Sequence, residues 1–394
     1  MDLIINNIIP YFQPILSTAK NGIYSYEVLG RYIEEDGSVR SLGPFFCAKE
    51  TTNEDALMVD RIIRRKAMEQ FAREATDEFL FINIRLGWIS RFADNLEALP
   101  TVQFAREFGI DFDRLVIEIT EDEFYNENED FAKAVEFYKS LGCRLAIDDY
   151  GKDASNIDRL SLLAPDIVKI DMEYVHRSEE SYFYREYLRM ITAYADKVGI
   201  EVLYEGTETQ KQLDICTSSN GKYHQGFLLA KPQPSIKDAT ANMNIFIKSV
   251  DGFIEHLHEK ARLSNEYREF WDANVNSYFE THPFGLVDTD WNEYISKLCA
   301  YLPERVIRVY ICDKNGYQRS FNVEKDGETL SYLDHRDKNW AWRGFFREAV
   351  KTFGYGIKSY LTSEYRDVTS KEKICTYIKL MDSGLLLHVD IRAV

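Results

Sequence analysis

The chain has 394 residues, 45% hydrophobic and 14% aromatic, too many for one compact core and too apolar for a disordered polymer, so two or three domains are expected. A formal charge of −17 excludes a general nucleic-acid binder, which needs a basic face, but not a phosphate-ester ligand, because acidic clusters hold divalent cations that reverse the local field. With no apolar run near the ~20 residues that span a bilayer, no secretory pattern in MDLIINNIIPYFQP and six scattered cysteines without a CxxC pair, a cytoplasmic protein with reduced thiols and no membrane span is expected.

From residue 1 to about 235, short apolar runs alternate with longer amphipathic stretches. The runs are IYSYEVLGR (23–31), FLFINI (79–84), LVIEIT (115–120), RLAIDDYG (144–151), IVKID (167–171), EVLYEG (201–206) and QGFLLA (225–230). Between them, DALMVDRIIRRKAMEQFAREA (55–75) and SYFYREYLRMITAYADKVG (181–199) place apolar residues at helical spacing. Such alternation predicts a β/α barrel or a doubly wound sheet, and the length suits the ~250 residues of a barrel.

The run ends favour the barrel. Nearly every run finishes on polar groups: Glu27, Asn83, Glu118, Asp148 with Asp149, Lys169 with Asp171, and Glu205. Parallel barrel strands are packed along their length and open at their carboxyl ends, and a charge in mid-strand would be costly to bury. The run ends therefore converge on one rim.

After Pro232-Gln233-Pro234, residues 236–284 read as a charged helical linker, with a break near THPFG (281–285). The linker is a plain spacer, a signalling helix or a dimer interface. Residues 285–394 change character: a helix near 289–301, then strand-like RVIRVYICD (305–313), QRSFNVEK (318–325), KICTYIKLM (373–381) and GLLLHVDI (384–391). This predicts an antiparallel sheet with flanking helices, an α+β module.

Oxygen donors without His or Cys at the run ends favour Mg²⁺ or Mn²⁺ over zinc or copper. Adjacent Asp148 and Asp149 suit two bridged metals, which can activate a water and stabilise the departing oxygen of a phosphodiester. A plain helix N-terminus is the other reading of that pair. Lys169 beside them either loses its charge easily or orients the nucleophilic water.

The ordered segments YFQPIL, YEVLGR, FINI, IEITE, AIDDYG, VKID, YEGTET and QGFLLAKP resemble the EAL-domain cyclic diguanylate phosphodiesterases over residues 8–235. The signature triplet reads Glu27-Val28-Leu29, with valine in place of alanine. The resemblance implies a TIM-like (β/α) barrel over 1–235 that opens one phosphodiester of cyclic di-GMP to give the linear dinucleotide, with two Mg²⁺ or Mn²⁺ ions. By position, Glu27, Asn83, Glu118 and Asp148 would hold the first metal, and Asp148, Asp149 and Glu205 the second. Lys169 and Glu205 would handle the attacking water, the base remaining open between them. Gln13, Glu27, Leu29, Arg31, Asp171 and Gln225 would stand on the substrate side, and Glu121 would anchor the loop after the aspartate pair.

That loop, Tyr150–Asn156, departs from the family pattern: Asp153 replaces a glycine, which favours a receptor without turnover as the alternative. The tail, with RVYICDKNG (308–316), KNWAWRGFF (338–346) and GLLLHVDI, resembles the C-terminal domain of YkuI-type EAL proteins, which implies a PAS/Cache-like sensor and a homodimer. Trp340, Trp342 and Arg343 line a pocket for a small ligand there or simply pack together.

Overall fold

Ile8–Ser17 (β1) and Gly22–Ile33 (β2) form a long antiparallel hairpin with Gln13 opposite Glu27. In the computed structural model, residues 4–74, 77–85, 92, 94–120, 129–151, 157–237, 241–283 and 290–393 are described. Past β2 come Val39–Ser41 (β3), Gly43–Cys47 (α1), Asn53–Glu74 (α2) and Phe79–Asn83 (β4). Pro100–Phe108 (α3), Leu115–Thr120 (β5), Glu129–Ser140 (α4), Arg144–Tyr150 (β6), Ile157–Leu163 (α5) and Ile167–Ile170 (β7) follow. Met172–Ser178 (α6), Tyr182–Val198 (α7), Glu201–Tyr204 (β8), Gln210–Ser218 (α8) and Tyr223–His224 (β9) complete the first body. The strand order β1-β9-β8-β7-β6-β5-β4-β2, with β1 paired back to β2, closes an eight-stranded barrel, and β3 extends β2.

The barrel differs from the expected ring in two ways. First, β1 runs antiparallel to both neighbours, where an all-parallel set was expected. Second, the run QGFLLA is not a strand; the eighth strand is the two-residue β9 just before it, and 225–230 fold back as turns. The reason is a close approach: a Cβ on Gly226 would lie 2.1 Å from the Thr207 carbonyl oxygen. Thr207 N donates to Gln225 O at 3.0 Å, and Leu228 N donates to Thr207 O at 3.0 Å. Those bonds replace a ladder.

Inside the ring, Ile15, Phe81, Val116, Ala146, Ile167, Leu203 and Tyr223 form one buried apolar layer. The residues between them in the strands face outward and pack under the helices in the large core, with Ile82, Ile117, Ile147, Val168 and Val202 among them. The helices bury the complementary stripe, as α7 does with Leu188, Ile191 and Ala195 before it ends on left-handed Gly199.

The chain divides into two compact units, Met1–Glu255 and His256–Val394. Helix Met243–Thr281 (α9) crosses that division. Near its start Phe246 packs with Leu16, Leu213 and Leu229; near its end Trp271, Val275 and Tyr278 enter the core of the second unit. The second unit continues with Trp291–Tyr301 (α10), Val306–Cys312 (β10), Asn322–Asp326 (β11), Thr329–Leu333 (β12), Gly344–Gly354 (α11), Ser359–Leu361 (β13), Tyr365–Arg366 (β14), Lys373–Leu380 (β15) and Leu386–Arg392 (β16). Its sheet runs β12-β11-β10-β16-β15-β13 with β14 on β15, all antiparallel. Among the described residues no helix is long and apolar enough to cross a membrane.

Candidate active site

Pleating places residues i and i+2 of a strand on the same face. Two residues beyond the apolar layer, toward the carboxyl ends, the same inward face therefore carries Asn83 after Phe81, Glu118 after Val116, Asp148 after Ala146, Lys169 after Ile167 and Glu205 after Leu203. Gln225 follows Tyr223, and Glu27 enters from β2. Glu27 is not at a strand end as expected, because β2 continues to Ile33 and pairs there with β1 and β3.

Lys169 is 1% exposed. Its Nζ lies 2.6 Å from Glu118 Oε1, 2.7 Å from Glu205 Oε1, 2.9 Å from Asp148 Oδ1 and 3.7 Å from Glu27 Oε1. Burial works against its charge, but Asp148, Glu118, Glu205 and Glu27 outweigh burial and hold its proton well above the ordinary lysine range. Of the two sequence readings, a readily lost charge is therefore the one this surrounding disfavours. Asn83 Nδ2 donates to Glu118 Oε2 at 3.0 Å and to Glu27 Oε1 at 3.4 Å, and Gln225 Nε2 donates to Glu27 Oε2 at 2.6 Å.

This ring holds more acid than one ammonium can balance. Burial pushes Glu118 and Glu205 well above the usual carboxylate range; Lys169 pulls each back, and Glu27 and Asp148 push each further up. Buried carboxylates in that condition accept cations readily, because a cation satisfies them without a proton.

Asp148, Asp149 and Glu205 bring one ligand oxygen each within 4.8 Å of one another. The turn that allows it is unusual: Asp149 has φ 55 and its backbone N–H donates to Asp148 Oδ1 at 3.0 Å. A left-handed aspartate costs on the order of 1 kcal/mol or more, and it breaks the pleat so that two consecutive carboxylates face the same space. Gly151 follows with φ 106, and its carbonyl accepts from the Tyr174 hydroxyl. Lys152–Asn156 and Glu121 lie outside the described residues.

The expected substrate-side residues take separate places. Gln13 is buried and donates to the Ala230 carbonyl at 3.1 Å. Asp171, also buried, caps α6 through the Glu173 N–H at 2.7 Å. Leu29 and Arg31 continue the inward face of β2 past Glu27 and line a cavity of about 330 Å³. Arg31 Nη1 donates to the Gly30 carbonyl at 2.9 Å. The same cavity is lined by Asn83, Asp60, Phe46 and Arg85. Sequence reasoning missed Arg85. Its signal was available: it stands two residues beyond Asn83, on the same face one layer higher.

In the second unit, Trp340 Nε1 donates to Gln318 Oε1 at 2.8 Å, and the Arg343 guanidinium lies 5.3 Å from the ring centroids of Trp342, Phe345 and Tyr365. Trp342 is 65% exposed. Trp340 is partly buried against the Tyr310 cluster and Arg343 lies against three rings, contacts that favour the packing reading.

Two family models match the chain: the EAL domain over residues 2–232 and the EAL-domain associated signalling protein domain over 238–393. The chain is 31% identical over 390 residues, 98% of its length and 95% of the relative's, to the EAL-domain containing protein YkuI of Bacillus subtilis. It is 26% identical over 234 residues, 57% of each chain, to the cyclic di-GMP phosphodiesterase RocR of Pseudomonas aeruginosa. The crystal structure of Bacillus subtilis YkuI in complex with substrate c-di-GMP and calcium superposes with a TM-score of 0.88 and 29% identity, covering 99% of this chain and 97% of that one. A Klebsiella pneumoniae BlrP1 complex with manganese and cyclic di-GMP matches with a TM-score of 0.52 and 26% identity over 58% of this chain and 57% of that one.

Proposed function

The chain belongs to the EAL-domain family, and from that premise we propose that residues 1–235 bind cyclic di-GMP over the acid ring and hydrolyse one of its phosphodiesters. The observation that carries the reading is Lys169 enclosed by Glu118, Asp148, Glu205 and Glu27, a surplus of buried carboxylate on the open rim of a barrel. Glu27, Asn83, Glu118 and Asp148 are the proposed holders of one Mg²⁺ or Mn²⁺, and Asp148, Asp149 and Glu205 of a second. Bound there, the cations supply positive charge for the phosphate oxygens and lower the pKa of water.

The chain's own groups do the rest. In the reaction a water oxygen bonds to phosphorus, the P–O bond to the ribose 3′ oxygen breaks, and that oxygen takes a proton to leave a linear dinucleotide. Lys169, held in its charged form, acts as a donor that orients the water and the phosphate oxygens. Glu205, whose carboxylate lies beside the charged Lys169, is the acceptor for the proton of the attacking water, since an ammonium that keeps its proton cannot take another. Gln225 fixes Glu27. Gln13, Leu29, Arg31 and Asp171 are the proposed ligand contacts, and Glu121 the proposed loop anchor.

The second unit is proposed as a sensor that regulates the barrel, with 236–284 as its helical linker and 285–394 as its body. A homodimer accompanies this reading: on α7, Phe183, Met190, Tyr194 and Val198 are exposed at spacings of seven, four and four residues, an apolar stripe on one face.

Incubating the purified chain with cyclic di-GMP and Mg²⁺ or Mn²⁺, followed by chromatography, tests the proposal. The linear dinucleotide is expected. Binding without product in either metal would instead establish a receptor, the reading that Asp153 in the altered loop favours.

A further inference from the structure

The cavity of about 330 Å³ beside the acid ring is walled by Gly30, Arg31, Ser41 and Gly43 on one side, Asp60, Ile63 and Arg64 of α2 on another, and Asn83 to Arg85 at the end of β4. Ligand cavities run from roughly 300 to 1,000 Å³, so this one has room for a single nucleobase and part of its sugar, not for a whole cyclic dinucleotide. Its polar lining has two opposite characters. Arg85 offers a guanidinium that is set in advance: Nη2 donates to the Phe46 carbonyl at 3.1 Å, and Cζ stands 5.1 Å from the Phe46 ring centroid. Asp60 offers a carboxylate whose Oδ2 is taken by Arg64, and Arg64 is itself held by Thr101 Oγ1 at 2.7 Å.

Guanine presents two adjacent acceptors, O6 and N7, on one edge and two adjacent donors, N1–H and the N2 amino group, on the next. A guanidinium fork matches the first edge, and a carboxylate matches the second. Adenine has an amino donor where guanine has O6, and an acceptor at N1, so it meets both groups with the wrong sign. Arg85 is also well placed relative to the chemistry. The backbone stays in register past Asn83, with Ile84 N donating to Glu118 O at 2.9 Å, so Arg85 stands directly above Asn83 on the same face.

We propose that Arg85 is a specificity-determining residue, holding one guanine of the ligand by O6 and N7 in this cavity while Asp60 faces N1–H and the N2 amino group. The inference rests on the cyclic di-GMP reading and adds to it which residues choose the base. Phe46 is the positioning group, since its carbonyl and ring hold the guanidinium before a ligand arrives.

The test is calorimetric titration of the full chain with cyclic di-GMP and with cyclic di-AMP in calcium, for the wild type, Arg85→Lys and Arg85→Ala. The wild type is expected to prefer the guanine ligand. Both variants are expected to lose that preference by about tenfold or more, through weaker guanine binding with adenine binding unchanged. Lysine keeps the charge and loses the fork, so it separates base reading from simple attraction to phosphate. A lysine variant that keeps the full preference, or variants that weaken both ligands by the same factor, would overturn the inference while leaving the cyclic di-GMP reading intact. A wild type that binds no cyclic di-GMP would overturn the reading itself and this inference with it.

Discussion

At the scale of single residues, the ring around Lys169 separates two roles that are usually confounded. The ammonium balances acid, and in the proposed reaction it also donates toward the phosphate. Lys169→Met removes both, but the carboxylates remain, and with a competing positive charge gone they should hold divalent cations at least as tightly. Turnover of cyclic di-GMP is expected to fall by about 10²-fold or more, with Mn²⁺ affinity kept or raised. Parallel titration and product assays check this; a variant that turns over normally would remove Lys169 from the chemistry. Glu27→Ala is expected to abolish turnover and weaken cation binding while circular dichroism and melting stay near wild type, because Glu27 is a proposed cation ligand and lies outside the apolar layer beneath it. These residues were legible as a set because polar groups recur in or at the ends of successive apolar runs; Glu27 was read at a strand end although it lies inside β2. Arg85 was passed over, because an arginine past a strand end is ordinarily a solvated group; its place two residues after Asn83 was in the sequence, and the cavity and the Phe46 contacts give that place its meaning.

At the scale of elements, two irregular segments bring together side chains that regular strands could not. The left-handed backbone at Asp149 lets consecutive aspartates share a site. The turn at Gly226 lets Gln225 reach Glu27. Gly226→Ala would drive a methyl group into the Thr207 backbone, with 2.1 Å to its oxygen and 2.2 Å to its nitrogen. A loss of stability of about 2 kcal/mol or more is expected, together with weaker cation binding as Gln225 shifts; chemical denaturation and titration measure the two. Wild-type stability in this variant would show that the turn is not a close approach. The second was misread from sequence for a physical reason. The apolar run at 225–230 has strand composition, and only the nearby Thr207 backbone prevents it from pairing. Conversely β1 carries Pro10 and Pro14, which argue against a central strand. It is tolerated because β1 meets β9 through Leu16 and Ser17 alone, with a single further bridge from Phe12 to Gln233.

Across the whole molecule, the two units each hold a fully buried histidine. Burial lowers His224 to about 4 and His388 to about 3, and both His388 nitrogens lack a hydrogen-bond partner. The folded values lie below the unfolded 6.5. Stability from each neutral histidine is therefore fully present above pH 6.5 and lost as pH falls through that value, by about 1.4 kcal/mol per pH unit and per histidine. His388 stacks on Tyr310 with centroids 4.7 Å apart, so His388→Phe keeps an aromatic ring and removes the orphaned polar atoms. The second unit of that variant is expected to melt at or above the wild-type temperature at pH 7.5, and the gap should widen toward pH 5. A gap independent of pH would contradict the burial argument. The barrel's strand–helix alternation and the change of character beyond the Pro232–Pro234 break were readable from composition and period. The short strands β12, β13 and β14 were not, because two to five residues at a sheet edge carry too little pattern to register.

The central claim is that the barrel rim is a ring of buried carboxylates built to hold divalent cations. Burial raises the proton affinity of Glu118 and Glu205, so cations compete with protons for them, and binding releases whatever protons they hold. Calorimetric titration of Mn²⁺ into the protein at neutral pH, in two buffers of different ionisation enthalpy, measures that release directly. The expected result is tight binding whose apparent heat differs between the buffers, with affinity that weakens as pH falls and is lost in Asp148→Asn. Binding with the same heat in both buffers, or affinity unchanged in Asp148→Asn, would contradict it.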